Sequence, residues 1–335
     1  MSPTERIEES LRGYIYTLVG GISFGSTAIL SSLLRDMGVP SIQQAFFRAL
    51  LTTLFFGFIL LTRPEIRKIG RADIRIFVVN GLFGVSLSMI AYLSSIAVGT
   101  PVAVAVTLSY LQPMFAVILA RLLLNETVTP IRVAAVVVSI VGASIVSGIW
   151  QMLGAITSIN IIGVALAASN GFFYAVYVII GRLSGSEKQY HSSTTMFYSF
   201  LFGLMCVSVI WFLVGSFVGY GGISGVVLDL SFEALGLLLM LGVFGTIIPY
   251  GLLSMGLTYI RASIAGILLL VEPVSVMVMG LLILGEPLTS WSLFGSILVL
   301  SATILISLEK KLSIKPKEGR MAGSGDSKRS QSLDE

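Results

Sequence analysis

The 335-residue chain is 55% hydrophobic and only 11% charged, with a mean hydropathy of +0.95. A soluble domain carries about 25% charged residues, so this composition excludes an ordinary water-soluble enzyme or binding module and points to lipid as the solvent. The formal net charge of +4 comes from loop residues placed by membrane topology and implies no nucleic-acid partner.

Residues 1–12 are polar and of mixed charge, and a long apolar stretch follows them. That pattern fits a cleaved leader poorly, so 1–12 reads as a cytoplasmic N-terminus ahead of a retained first span. Charged residues are absent from Gly13–Leu34, Ile76–Ala120, Val133–Gly181, Ser192–Leu228, Ala234–Ile260 and Pro287–Leu308. A spanning helix needs about 20 apolar residues, so each of the two longest runs holds two helices joined by a short uncharged turn. The expectation is an all-α membrane protein of ten transmembrane helices, at 14–34, 42–62, 74–97, 101–123, 131–149, 160–182, 192–214, 233–257, 262–284 and 290–308. The single cysteine, Cys206, falls inside an apolar span, so no disulfide framework exists. The glycine-rich stretch 220–225 reads as a mobile external loop. Residues 313–335 turn Lys-, Ser- and Gly-rich and read as a disordered cytoplasmic tail.

An even number of spans puts both termini on one side. If that side is the cytoplasm, only Arg35 and Arg48 of the 21 Lys and Arg fall outside cytoplasmic segments. Such a bias fixes the orientation by the positive-inside rule and supports the span boundaries too.

The chain also repeats itself. LSYLQPMFAVILARLLLNETVT at 108–129 aligns without gaps on LLLVEPVSVMVMGLLILGEPLT at 268–289, placing Pro113 on Pro273, Glu126 on Glu286 and Thr129 on Thr289. The first two spans of each half match at a different offset, with Gly13 on Gly163, Gly21 on Gly171 and Phe47 on Phe197. The domains are therefore a first repeat at 13–150 and a second at 159–308. Five spans is an odd number, so the second copy runs inverted through the membrane. Inverted repeats characterise secondary transporters, whose near-equivalent halves rock about a central site.

The two copies of an [E/Q]-P step followed by LL-[N/G]-E-x-[V/L]-T, with Phe46-Phe47-Arg48-Ala49 in the second span, resemble the EamA-type domains of the drug/metabolite transporter superfamily. The likeness covers about residues 13–308. It implies ten spans, cytoplasmic termini in the cell membrane, and transport of small organic solutes such as amino acids, metabolites or drugs, often as efflux. The chain departs from symmetry at one point: the first copy has Gln112 where the second has Glu272.

Glu272 lies about midway along the ninth span, where a carboxylate costs about 2.5–3.5 kcal/mol on insertion scales and must face a cavity or a partner. It could bind a substrate ammonium, carry a coupling proton, or brace the Pro273 kink. Gln112 can hydrogen-bond a substrate but cannot titrate. Pro113 and Pro273 free the carbonyls of Ser109 and Leu269, either along a cavity or in plain packing kinks. Arg48 either snorkels to the outer headgroups or faces the cavity to attract an anionic group. Among polar groups within spans, Tyr92, Asn170, Tyr174 and Tyr250 lie nearest mid-depth and rank above Ser23, Ser26, Ser88, Tyr110, Tyr177 and Thr246 as substrate contacts. Glu126 and Glu286 sit at span ends and read as boundary residues. Thr129-Pro130 reads as a helix N-cap followed by Pro at the first helical position. Gly21-x-x-x-Gly25 reads as close helix packing.

No metal or nucleotide motif appears, and the one histidine, His191, falls in a cytoplasmic loop, so no cofactor is expected and a membrane enzyme is disfavoured. A channel or lipid scramblase is the rival reading. It needs a continuous polar path, whereas this chain has scattered polar residues and a two-fold repeat. The expected partners are a small-molecule substrate, the bilayer and a coupling proton. The sequence identifies neither substrate nor direction nor oligomeric state.

Overall fold

A computed structural model describes residues 3–98, 100, 102–149, 161–217, 230–285 and 288–313. Every regular element among them is helical. Eight helices are long and apolar enough to cross a membrane: α1 Glu8–Asp36, α2 Ser41–Thr62, α3 Arg71–Tyr92, α4 Val104–Leu123, α6 Ile161–Glu187, α7 Ser192–Leu213, α8 Phe232–Tyr259 and α9 Ala262–Ile283. Two shorter apolar helices, α5 Pro130–Val146 and α10 Ser290–Ile306, occupy the fifth and tenth expected positions. The linker at 150–160, the glycine-rich stretch at 220–225, Glu286 and the tail beyond 313 lie outside the described residues.

The N-terminal helix begins at Pro3, so most of the polar segment 1–12 continues the first span as helix. Glu8 and Arg12, four residues apart with the acid first, favour that extension. Local chemistry sets other boundaries. Thr129 Oγ1 accepts the Arg132 N–H at 3.3 Å and Pro130 opens α5, as the sequence implied. Ser231 Oγ caps α8 through the Ala234 N–H at 3.2 Å. The α4 and α9 ends terminate in the left-handed region at Asn125 (φ 51°) and Gly285 (φ 69°), which occupy the same repeat position. Only glycine, or asparagine at modest cost, adopts that geometry readily, which accounts for the N/G alternative in the repeated motif.

The repeat is visible in the packing. α1 packs on α8 and α9, and α6 packs on α3 and α4; α2 pairs with α7, and α5 with α10. A methyl added to Gly13 would meet Ile260, and one on Gly163 would meet Thr100, its repeat counterpart. Likewise Gly21 abuts Leu268 and Leu269, while Gly171 abuts Leu108 and Ser109. Gly13 beside Ile260 and Gly20 beside Pro249 make α1 antiparallel to α8. Tyr177 against Tyr250 and Arg182 on the Leu257 carbonyl make α6 parallel to α8. The two first helices therefore point in opposite directions, and the halves are inverted copies.

These contacts are close enough to test. A Cβ at Gly171 would lie 2.9 Å from the Ser109 carbonyl oxygen, and one at Gly21 would lie 2.8 Å from Val271. Gly171→Ala and Gly21→Ala are each expected to destabilise the protein by about 1–3 kcal/mol through overpacking. Among the described residues nothing lies within 4 Å of a Cβ on Gly236, so Gly236→Ala should leave the melting temperature in detergent unchanged or raise it. Equal melting shifts for all three variants would refute this packing account.

Candidate functional site

The prolines shape the middle of the bundle. The first half of α4 stops at Ser109 and helix resumes at Gln112; in α9 it stops at Leu268, passes through a 3₁₀ turn at Leu269–Val271 and resumes at Glu272. In each case the break falls where proline removes a hydrogen bond and crowds the carbonyl four residues back. Gly171 packs directly on the freed Ser109 carbonyl, and Gly21 packs on the Leu268–Leu269 backbone. Gln112 and Glu272 thereby open the second segments of the two equivalent broken helices.

Both line one cavity of about 890 Å³ between the halves. The cavity also takes in Arg48, Tyr92, Asn170, Tyr174, Tyr250 and Pro273, so all seven residues read as substrate contacts share it; Pro113 does not line it. Sequence spacing alone could not have shown that convergence. Its apolar wall is aromatic: Phe24 meets Tyr250 edge-on at 4.8 Å and Tyr174 at 6.3 Å, and Tyr174 meets Tyr250 at 6.3 Å. Tyr177 lies behind this wall, 1% exposed, with its hydroxyl on Met196 Sδ at 3.2 Å. Tyr110, which the sequence ranked lower, lines the cavity.

Arg48 does not reach for headgroups. Its Nε donates to Thr246 Oγ1 at 2.8 Å and its Nη2 to the Gly245 carbonyl at 3.4 Å. No ion pair joins it to Glu272, and the Glu272 carboxyl makes no hydrogen bond or ion pair with any described residue. One guanidinium and one carboxyl thus line the same cavity with no salt bridge between them. Asn170 is fixed differently: it accepts from Ser88 Oγ at 2.8 Å and donates to Ser109 Oγ at 2.7 Å, tying α6 to α3 and α4. Its repeat counterpart is Gly20, so this polar tie exists on one side only.

The cavity extends toward one end of the bundle, where Ser32, Arg35, Ser41, Gly148, Thr289 and Ser292 line it. The opposite end is closed by a polar layer that sequence reasoning had read only as a span boundary. Glu126, 9% exposed, accepts the Ala262 N–H at 2.8 Å, the Ser263 N–H at 3.4 Å and the Ser263 hydroxyl at 2.5 Å. It caps the start of α9, where a carboxylate also meets the positive end of the helix dipole. Arg132 donates to the Thr127 carbonyl and to Ser263 Oγ, Arg261 donates to Thr127 Oγ1, and Arg182 holds the Leu257 and Thr258 carbonyls at 2.9 Å each. At the same end, Tyr190 donates to Asp73 Oδ2 at 2.7 Å and accepts the Gly70 N–H, while Lys188 pairs with Asp73 at 3.0 Å. The pairing of Glu126 with the start of α9 bridges residues 136 apart in sequence, and no local pattern announces it.

Inverted helical halves around a central, amphiphilic cavity define a membrane transporter and not an enzyme. Comparison with known proteins agrees: the model of the EamA-like transporter family matches residues 11–148 and 161–308, one copy per half. The chain belongs to that family, and is a multi-pass membrane protein. It is 25% identical over 297 residues to the threonine/homoserine exporter RhtA of Escherichia coli strain K12, covering 87% of this chain and 90% of that protein. It is also 25% identical over 276 residues to an uncharacterized transporter of Archaeoglobus fulgidus, covering 82% and 90%. A solved crystal structure shares the fold with a TM-score of 0.72 at 15% identity, over 89% of this chain and 98% of that one.

Proposed function

We propose that the protein is a secondary carrier for free amino acids, with ten spans, cytoplasmic termini and an outward-facing cavity, working as a proton-coupled exporter. The observation that carries this reading is that Arg48 and Glu272, joined by no salt bridge, line one aromatic-walled cavity. A zwitterion supplies the matching pair: its carboxylate suits a guanidinium and its ammonium suits a carboxylate, each by a charge-assisted hydrogen bond. The apolar wall leaves room for side chains of different sizes. The name of the RhtA relative, a threonine/homoserine exporter, supports the same solute class.

The basic loops set the orientation. With both termini inside, the rim at Ser32, Arg35, Gly148 and Thr289 faces outward and the Glu126 layer closes the cytoplasmic end. Alternating access then requires that layer to part while the outer rim closes. Glu272 exchanges between a proton and the substrate ammonium, which links solute movement to a proton gradient. A continuous pore, as in a channel, is disfavoured by the sealed end.

In proteoliposomes, uptake of a labelled amino acid is expected to saturate and to show counterflow when unlabelled solute is trapped inside. Flux that rises linearly with concentration and shows no counterflow would sink the carrier reading. Failure of every free amino acid to raise the melting temperature would sink the solute class, because a ligand bound only by the folded state must stabilise it.

A further inference from the structure

The third helix of each half departs from α-geometry at the same place. In α8 the π-type turn runs Val243–Ile247, and in α3 it runs Asn80–Leu87, which covers the equivalent positions. A π-turn leaves carbonyls and side chains displaced from the regular ladder, and such turns occur frequently at functional sites. The two copies use theirs differently. In α3 the bulge only fastens helices: Ser86 donates to the Gly203 carbonyl at 2.8 Å and Asn80 donates to Ser199 Oγ at 2.8 Å, both on α7. In α8 the residue matching Ser86 is Thr246, and it faces Arg48.

We propose that Thr246, with the Gly245 carbonyl, is a positioning residue that fixes which edge of the Arg48 guanidinium the substrate meets. This rests on the reading of Arg48 as the carboxylate site. A guanidinium has two edges able to grip a carboxylate with parallel bonds: the side edge of Nε and Nη2, and the end edge of Nη1 and Nη2. Thr246 Oγ1 takes Nε and the Gly245 carbonyl takes Nη2, so the side edge is used within the protein. Nη1 has no hydrogen-bond partner among the described residues, and the end edge remains for the cavity.

The Thr246 hydroxyl cannot easily turn away from this task. Its own proton goes to the Leu241 carbonyl at 3.3 Å, five residues back, a partner that the π-turn brings within reach. With the proton committed, a lone pair points at Arg48 Nε. Thr27 Oγ1 on α1 donates to the same Gly245 carbonyl at 2.9 Å, bracing it from the other side. The guanidinium is thus held by α8 although it grows from α2, and its orientation is set before any solute arrives. Preorganisation of this kind improves affinity by avoiding ordering costs on binding.

The experiment compares wild type, Thr246→Val, Thr246→Ser and Arg48→Gln by binding and thermal shift with the twenty free L-amino acids, then with the amide and the decarboxylated amine of whichever amino acid stabilises the wild type most. Valine keeps the shape and removes the acceptor. Wild type is expected to prefer the acid over its amide by tenfold or more. Thr246→Val should cut that preference to threefold or less, chiefly by weakening the acid, with its melting temperature without ligand near that of wild type. Thr246→Ser, which restores the hydroxyl, should recover the preference. If wild type shows the preference and Thr246→Val keeps it undiminished, the positioning role is wrong while the Arg48 site stands. If wild type shows no preference for the acid, or Arg48→Gln retains it, the reading of Arg48 itself fails. A Thr246→Val protein that melts far below wild type while keeping the acid preference marks a purely structural hydroxyl and also overturns the proposal.

Discussion

Glu272→Gln is expected to weaken binding of a zwitterionic solute 10- to 150-fold and to abolish the response of transport to an imposed pH gradient. The carboxyl lines the cavity with no hydrogen-bond or ion-pair partner among the described residues, so the isosteric amide leaves the packing intact and removes only charge and proton exchange. A hydrogen bond to a charged group contributes about 1.5–3 kcal/mol, which is the origin of that range. Gln112→Ala should weaken binding much less, since a neutral hydrogen bond contributes about 0.5–1.5 kcal/mol. His191 is the other group to consider near neutrality. Burial, reinforced by Arg63, lowers its pKa below the usual histidine value, and its Nδ1 accepts the Ser193 N–H at 3.1 Å. It therefore stays neutral around pH 7 and charges only as the pH falls further, leaving any transition above its ordinary range to another group. Uptake by Glu272→Gln that follows a pH gradient as wild type does would remove Glu272 from the coupling step.

The second large effect is expected at the closed end. Glu126→Gln keeps the size of the side chain but places an amide donor where the Ser263 N–H and hydroxyl need an acceptor. Leaving such buried donors unsatisfied costs about 1–3 kcal/mol, so the equilibrium between closed and open cytoplasmic ends should shift about 5- to 150-fold toward opening. A cysteine at Ala116, in a protein whose Cys206 is replaced by Ala, reports this directly. Ala116 is fully buried between α4 and α9, beside Gly266. An impermeant thiol reagent applied from the cytoplasmic side should label it slowly in wild type and several-fold faster with Glu126→Gln. Equal labelling rates would show that Glu126 does not hold that end shut. The cationic members of the layer make the argument directional. Under the repeat, Arg132 corresponds to Ser292 and Arg182 to Ser32, so the open rim has hydroxyls where the Glu126 end has guanidinium groups. The polar groups available to close the two ends are therefore unequal, as the proposed outward-facing resting cavity requires.

The length of uncharged apolar runs and the placement of charges located the helices because both are local quantities. A run free of charge must be solvated by lipid or protein, and a glycine or asparagine at a left-handed position or a proline within a span constrains only its own neighbourhood. The repeat extended that reach, because two copies of one motif must fold alike. It matched Pro113 to Pro273 and set Gln112 against Glu272. The helices α5 and α10 show where composition stops helping: they are apolar at the expected places, but only the structure shows that they pack on each other through Gly142 and Gly295.

What required the tertiary structure was the destination of each polar side chain. Arg48 could equally have snorkelled, and its choice was made by Thr246 and Gly245 on a helix nearly two hundred residues away. Glu126 read as a solvated boundary residue until α9 was seen to begin against it. Asn170 and Tyr250 reached one cavity, while Tyr177, seven residues beyond Asn170, was turned into the core. The physical reason is common to all of these. Within a lipid-solvated bundle the cost of an unsatisfied polar group dictates that a partner exists, but only the arrangement of helices around the inverted axis decides which partner, or which cavity, it is.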